Sequence, residues 1–153
     1  MRRLSHVDAA GRARMVDVGA KPVQRRVARA AGAVTLNKEA RALVAKNQVA
    51  KGDVLAVAQI AGIQAAKRTA ELIPLCHPLG LDHVDVQLRL TKKGVAAASE
   101  VRSIGRTGVE MEALTAVSVA LLTVYDMCKA VDREMEIGAI RLVSKEKHDV
   151  PGL

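Results

Sequence analysis

The sequence of 153 residues has almost no aromatic side chains, with one tyrosine, no phenylalanine and no tryptophan. Half of its residues are nevertheless apolar, so the core must be built from alanine, valine, leucine, isoleucine and methionine. Small side chains let helices approach closely, but they give up the large area that an aromatic ring buries. The same lack argues against binding of single-stranded nucleic acid, whose bases stack on aromatic rings.

Cysteine is scarce as well. Cys76 and Cys128 are the two cysteines, and their spacing does not indicate a metal knuckle. Two thiols in a chain without a signal peptide are typical of a reducing compartment, so we expect a cytoplasmic protein. The longest uncharged apolar run, residues 113–125, has thirteen residues. This is too short for a helix that crosses a bilayer, so we expect no membrane partner.

Positive charge dominates the beginning of the chain. The net charge is +8, and residues 1–41 carry ten Lys or Arg against three acids. Such a segment can serve nucleic acid, an acidic membrane or a phosphorylated small molecule, or it can simply keep the protein in solution. We interpret residues 1–21 as a basic, mobile N-terminal arm.

The apolar pattern predicts seven elements in the order β-α-α-β-β-α-β. Asn37 and Asp53 precede helical segments as N-cap residues. Gly94 ends a Lys-Lys-Gly hairpin turn in which glycine can take a positive φ. The predicted strands cover residues 25–36, 82–91, 95–104 and 137–143, and the predicted helices run from Asn37 to 47, from Asp53 to 72 and over 110–131.

Without its short first helix, this order is the split β-α-β-β-α-β arrangement of a ferredoxin-like α+β sandwich. In that fold the helices cover one face of an antiparallel sheet. No internal repeat or linker interrupts the pattern, so we expect a single domain over residues 1–153. Residues 146–153 are predicted to form a flexible C-terminal tail.

Two helices have unusual surfaces. The one after Asp53 carries a stripe of small residues that includes Ala58, Ala61 or Gly62, and Ala65. The helix over 110–131 is apolar on nearly all sides, whereas a surface helix has one polar face. We therefore expect a homo-oligomer that buries the second face of this helix.

Charges mark both ends of the same helix. Glu110 and Glu112 open it, and Asp126 and Lys129 close it. Each pair on its own is more often structural, because such charges stabilise the helix dipole or pair along one face. Because the helix is otherwise apolar, a partly buried Asp126–Lys129 pair could also have shifted proton affinities suited to acid–base catalysis.

A loop with two prolines, residues 72–79, holds Cys76 and His77 in a rigid segment. A zinc site formed with His83, or a Cys–His nucleophilic dyad, is poorly supported because adjacent side chains diverge. Rigid contact of His77 with a substrate is our preferred interpretation. A loop histidine with only a structural hydrogen bond is an equally good alternative.

A possible anion site begins at Lys51, which precedes a predicted helix start. There is no P-loop and no G-x-G-x-x-G motif, so the usual nucleotide folds are excluded. Asp17 has no acidic or basic neighbour within residues 15–18, and a structural role in a turn is as good an interpretation as a functional role. The cations that could form a phosphate pocket are Lys51, Arg26, Lys67, Arg68 and Lys145.

Three blocks carry a resemblance to a known family. Residues 51–79 contain KGDV, AGIQAAKRT and LIPLCHPL, residues 107–130 contain TGVEMEALT and YDMCKA, and residues 15–18 read MVDV. Together they closely resemble the molybdenum cofactor biosynthesis protein C family, over about residues 4–145. The two longer blocks are highly specific for it.

The resemblance implies a ferredoxin-like subunit in a hexamer, a trimer of dimers, with active sites at subunit interfaces. It implies a lyase that converts the cyclic GTP derivative 3′,8-cyclo-7,8-dihydro-GTP to cyclic pyranopterin monophosphate and releases pyrophosphate. No metal site or cofactor of the protein's own is implied, and a Mg²⁺ ion carried by the triphosphate stays an open alternative.

The matching positions imply the roles of individual residues. The family's catalytic residues fall on Asp126, Lys129 and Lys51. Its substrate-contacting residues fall on Leu75, Cys76, His77, Met111 and Glu112, with Asp17, Arg26, Glu110 and Lys145 nearby. The chain departs from the family's glycine-rich ending after Lys145, where it reads EKHDVPG, which leaves the role of Lys145 open.

Two other classes compete with an enzyme on the residues alone. One is a module that binds RNA or DNA through the basic arm, and its affinity should fall steeply with salt. The other is a structural oligomer in which the acids and lysines form interface salt bridges. The first leaves the charged ends of the apolar helix unexplained, and the second predicts that Lys51→Ala or Asp126→Ala damages assembly rather than chemistry.

Overall fold

The chain folds into a four-stranded antiparallel sheet with its two long helices packed on one face. The computed structural model describes residues 7, 8 and 10–152. Along the sheet the strands lie in the order β2-β3-β1-β4, which confirms the predicted ferredoxin-like α+β fold. The elements are β1 (Gln24–Thr35), α1 (Lys38–Ala45), α2 (Val54–Lys67), α3 (Thr69–Leu72), β2 (His83–Leu90), β3 (Gly94–Gly105), α4 (Glu110–Cys128) and β4 (Ile137–Asp149).

The predicted helix starts and the hairpin turn are confirmed. The side chain of Asn37 accepts a hydrogen bond from the Ala40 amide at 2.8 Å, and Asp53 accepts one from the Ala56 amide at 3.0 Å. Gly94 begins β3 at φ 153°, and a Cβ there would lie 2.0 Å from the Val34 carbonyl oxygen. No other residue fits this position, because any side chain would collide with the backbone of β1.

The helix after Asp53 ends earlier than predicted. α2 stops at Lys67, the chain turns at Arg68, and the four-residue α3 follows. The buried Thr69 hydroxyl donates hydrogen bonds to the Ala65 and Ala66 carbonyls at 3.3 and 3.0 Å. These bonds satisfy two carbonyls at the end of α2, where the chain leaves the helical ladder.

The two long helices touch through the predicted stripe of small residues. Ala58, Gly62 and Ala65 are buried, so Gly62 rather than Ala61 belongs to the stripe. A Cβ on Gly62 would lie 2.9 Å from the Ala116 carbonyl oxygen of α4. Close packing of the α2 and α4 backbones thus compensates for the scarcity of large aromatic side chains in the core.

Packing within the chain covers much of α4. By length and composition this helix could cross a membrane, since its 19 residues extend beyond the uncharged run seen in the sequence. More than half of that apolar segment is nevertheless buried, between the sheet and α2. Leu122, which is 56% exposed, is the main apolar exception. Burial within the chain therefore explains most of the apolar surface of α4, for which the sequence analysis had expected a second subunit.

The last strand is longer than predicted. β4 continues to Asp149 and pairs with β1, so residues 146–149 belong to the sheet and not to a tail. Arg29 explains this, because its guanidinium binds Glu100 of β3 and Glu146 of β4 at 2.5 Å each. Hydrogen bonding to Arg29 lowers the pKa of Glu146. Glu146 and Asp149 bond across the sheet to Arg29 and Gln24 of β1, whereas the sequence predicted a flexible tail here.

The predicted N-terminal arm is described in part. Its residues 1–6 and 9 lie outside the described residues. Within the described part, Val7 forms an isolated bridge with Ala13, and Asp8 pairs with Arg12 at 2.9 Å. The mobility of this arm stays a prediction.

Candidate active site

The residues predicted to act together lie at two places, the two ends of α4. Glu110 begins this helix and Asp126 lies in its last turn. At 1.5 Å per residue the two positions are about 24 Å apart along the helix axis. We call the two groups of candidate residues half-sites, because one helix holds them apart.

The C-terminal half-site is a triad of Lys51, Asp126 and Lys129. The loop between α1 and α2 brings Lys51 to α4, where its ammonium lies 2.7 Å from Oδ2 of Asp126 and 3.0 Å from the Asp126 carbonyl. The ammonium of Lys129 lies 2.7 Å from Oδ1 of the same carboxylate. Each carboxylate oxygen therefore has its own lysine.

The electrostatics of the triad differ from the sequence expectation. Hydrogen bonds from Lys129 and then Lys51 lower the pKa of Asp126 to about 2. Asp126 in turn raises the pKa of Lys129. All three side chains are about half exposed, so burial does not bring their pKa values towards neutrality. The free subunit holds a carboxylate between two ammonium groups, with a net charge of +1.

The N-terminal half-site is a cavity of about 290 Å³ beside the first turn of α4. Nε2 of His77 lies 2.7 Å from the Val16 carbonyl, which brings the segment containing Asp17 to the rim of this loop. Asp17 itself is exposed and accepts a hydrogen bond from the Gly19 amide at 2.8 Å, as in the turn alternative. The lining includes every residue predicted from the longer family blocks to contact substrate: Leu75, Cys76, His77, Met111 and Glu112.

Burial sets the ionisation of two groups in this cavity. It raises the pKa of the Cys76 thiol, with a contribution from Glu112, which disfavours the thiolate that a nucleophile needs. It also raises the pKa of Glu112, helped by the neighbouring charge of Glu110. Glu112 is 4% exposed and has no salt-bridge partner in the described part of the chain. Its protonated form is therefore favoured by the fold.

Glu112 gives the protein a testable pH dependence. Because its folded-state pKa is raised, ionisation of the buried carboxyl costs stability as the pH rises above the ordinary glutamate range of about 4.3. We expect Glu112→Gln to be more stable than the natural chain at pH 8 and close to it at pH 4. Urea unfolding at both pH values measures the difference. The exposed Glu134→Gln serves as control, and equal pH slopes for Glu112→Gln and the natural chain would contradict a raised pKa.

A second cavity, of about 270 Å³, adjoins the first and shares Gly108 and Glu110 with it. Arg26 of β1 and Lys145 of β4 line it, as does Lys147. The ammonium of Lys145 lies 3.1 Å from the Glu110 carboxylate. Lys145 therefore lies within β4, although the sequence prediction ended this strand at residue 143.

The five cations predicted to form one phosphate pocket are not together in one chain. Lys51 lies at the C-terminal half-site, and Arg26 and Lys145 lie at the N-terminal one. Lys67 and Arg68 line a third cavity of about 120 Å³, on another side of Glu112. The length of α2 separates this last pair from Lys51, because Lys51 precedes the first residue of this helix and Lys67 is its last.

Sequence reasoning missed several lining residues. Leu79 and Thr107 line the cavity of His77, and both lie in the blocks that carry the family resemblance without a chemical signal of their own. Lys147 lies two residues after Lys145, and the period of a strand would have placed both on one face. Among the described residues, no three His, Cys, Asp or Glu side chains converge in a way that could hold a metal ion.

Comparison with known proteins gives one consistent relationship. The model described as the MoaC family matches residues 15–148. A cyclic pyranopterin monophosphate synthase of Roseiflexus sp. (strain RS-1) is 60% identical over 147 residues, which is 95% of this chain and 93% of that protein. The synthase of Chloroflexus aggregans is 59% identical and covers 94% of this chain and 88% of its own length. Molybdenum cofactor biosynthesis protein 1 of Drosophila melanogaster is 61% identical over 94% of this chain, but this match is 26% of that longer protein.

Proposed function

This chain belongs to the MoaC family, and we propose that it is an enzyme with cyclic pyranopterin monophosphate synthase activity in molybdenum cofactor biosynthesis. Its substrate is 3′,8-cyclo-7,8-dihydro-GTP, and it acts as a lyase that closes the cyclic phosphate and releases pyrophosphate. The observation that carries the proposal is the pair of half-sites. A triad of charged groups suits proton and charge chemistry, and a cavity with a histidine and a buried carboxyl whose pKa is raised suits a polar ring system.

The cavity of the N-terminal half-site would hold the base and sugar. His77 is fixed by its hydrogen bond to the Val16 carbonyl, and Leu75, Cys76 and Met111 supply a partly apolar wall. A protonated Glu112 can donate a hydrogen bond to a ring nitrogen or carbonyl, which a carboxylate cannot. Glu110 with its partner Lys145 lies at the boundary with the second cavity.

The triad would carry the chemical steps. Asp126 is the group that accepts and returns protons as the purine ring opens and the pterin forms. Lys51 and Lys129 stabilise negative charge that develops on substrate oxygens, because their ammonium groups are already oriented by the carboxylate. Arg26 and Lys145, with Lys51, offset the charge of the triphosphate.

The separation of the half-sites favours a homo-oligomer, in which the triad of one subunit faces the cavity of another. We propose a hexamer built as a trimer of dimers. The face of the sheet opposite the helices supports this, because it contains a hollow of about 380 Å³ lined mainly by alanines and free of the charged triad. Small side chains permit the close approach of a second surface.

The proposal also covers the cellular compartment, the partners and the cofactors of the enzyme. Both cysteines are free, so we place the enzyme in the reducing cytoplasm, without a membrane or nucleic-acid partner. We propose that it needs no cofactor of its own, and that any Mg²⁺ arrives with the triphosphate.

The direct test is turnover of the proposed substrate. Purified protein is incubated with 3′,8-cyclo-7,8-dihydro-GTP, and pyrophosphate is followed together with the fluorescent oxidised pterin. We expect both products in equal amounts, and neither from GTP, which lacks the 3′,8 bond. Binding of the cyclic substrate without release of pyrophosphate would contradict the proposed activity.

A further inference from the structure

We propose that Lys147 and Arg26 form a binding subsite for the terminal phosphates of the substrate, and hence for pyrophosphate, in the cavity between β1, β4 and the start of α4. The identity of the ligand rests on the proposed function. The anion site itself rests on the arrangement of charges described below. Lys147 lies outside the residues that the resemblance assigns.

Strand register places two cations directly opposite each other. Arg26 of β1 and Lys147 of β4 are Cα partners in the antiparallel ladder, and both line the cavity of about 270 Å³. Like charges directly opposite each other on neighbouring strands destabilise a sheet. An anion bound between them would remove this repulsion, so the pair is best explained by a negatively charged ligand.

The acids near this cavity are already engaged. The Glu110 carboxylate lies 3.1 Å from the ammonium of Lys145, and Glu146 lies 2.5 Å from Arg29. Among the residues that the structure describes, neither Arg26 nor Lys147 has a carboxylate within salt-bridge distance. These two cations are therefore available for a ligand.

Arg26 also has an unsatisfied donor. Its Nε is buried and has no hydrogen-bond partner in the described structure, and its terminal nitrogen makes one long hydrogen bond, 3.5 Å, to the Arg106 carbonyl. Buried donors are normally paired. A phosphate oxygen is a suitable acceptor, because a guanidinium can bind phosphate with two parallel hydrogen bonds.

The position of the subsite suits the end of a triphosphate. The cavity shares Gly108 and Glu110 with the cavity of His77, so a nucleotide whose base lies beside His77 can extend into it. The start of α4, which has no side-chain cap in the described structure, adds the positive end of the helix dipole. Lys147 would therefore bind the two terminal phosphates, which leave as pyrophosphate, and not the phosphate that the product retains.

Calorimetric titration of the full protein with inorganic pyrophosphate tests the subsite. We expect Lys147→Ala to bind pyrophosphate about tenfold more weakly, since it loses one hydrogen bond between charged groups. Lys147→Arg should restore most of the affinity. Lys92→Ala removes the same charge from the exposed hairpin at the other end of the sheet and should bind as the natural chain does.

Two results would overturn the subsite: natural affinity in Lys147→Ala, or an equal loss in Lys92→Ala. The second would indicate a general charge effect. Failure of the proposed function gives a different result, because pyrophosphate titration does not require turnover. A protein that binds pyrophosphate through Lys147 but does not convert the cyclic substrate keeps the anion site and loses the function. One that converts it equally well and binds pyrophosphate equally well without Lys147 keeps the function and loses the subsite.

Discussion

The Asp126→Asn variant should lose about 10²- to 10⁴-fold in kcat, the usual contribution of a positioned acid–base group. Asparagine keeps the size of the side chain but cannot accept a proton, and it gives Lys51 and Lys129 a weaker partner than a carboxylate. The side chain is 55% exposed, so folding and assembly should be unaffected. Steady-state kinetics with the cyclic substrate and sedimentation of the variant check the two halves of this expectation.

The control is Asp85→Asn on β2, which makes the same chemical change on the edge strand, where Asp85 accepts a hydrogen bond from Gln87 at 2.8 Å. It should retain natural turnover. Natural turnover in Asp126→Asn would remove Asp126 as the group that moves protons. Loss of assembly in that variant would instead favour the purely structural interpretation of the triad.

Mixing two inactive variants should restore activity. Lys51→Ala damages the C-terminal half-site and His77→Ala the N-terminal one, about 24 Å away along α4. If each active site takes one half from each of two subunits, random mixing leaves about one quarter of the sites with both halves intact. The variants are mixed by co-expression or by joint refolding, and the kcat per subunit is compared with that of each variant alone.

The matched control combines two lesions in the same half-site, Lys51→Ala with Asp126→Asn. No mixture of these can contain an intact triad, so no activity should return. If the Lys51→Ala and His77→Ala mixture forms verified mixed oligomers and stays inactive, the two half-sites do not meet across an interface, and one chain would have to supply a whole site.

Local signals predicted the frame of the fold well. Asn37 and Asp53 cap their helices as expected, because a short polar side chain before an apolar helical run can accept a hydrogen bond from a free amide of the first turn. Gly94 marks its turn for a similar reason, since its φ is accessible to glycine. These residues act within a few positions of the chain, and a sequence shows such neighbours directly.

Contacts between distant segments could not be predicted in the same way. α2 ends at Lys67, where the buried Thr69 hydroxyl binds its last carbonyls, although the sequence predicted a helix to residue 72. Arg29 holds the end of β4 from more than 100 residues away, so the charges of that segment appeared to be a solvated tail. Both corrections came from side chains whose partners only the fold reveals.

The candidate site shows the same division. The sequence predicted most of the residues of each half-site, but the five cations that it grouped into one phosphate pocket do not lie together within one chain. The length of α4 decides this, because the helix separates Lys51 from Arg26 and Lys145. The second lysine on Asp126 was also beyond the sequence, since Lys51 comes from another loop to join Lys129 in lowering the pKa of this carboxylate.

The two lysines on Asp126 have a consequence for substrate entry. An incoming nucleotide carries several anionic oxygens, and these compete with a single carboxylate for the same ammonium groups. Each lysine that turns to the substrate takes away one of the two hydrogen bonds that lower the Asp126 pKa to about 2. On the proposed mechanism, the carboxylate therefore becomes more basic as the site fills and is a weak proton acceptor in the empty enzyme.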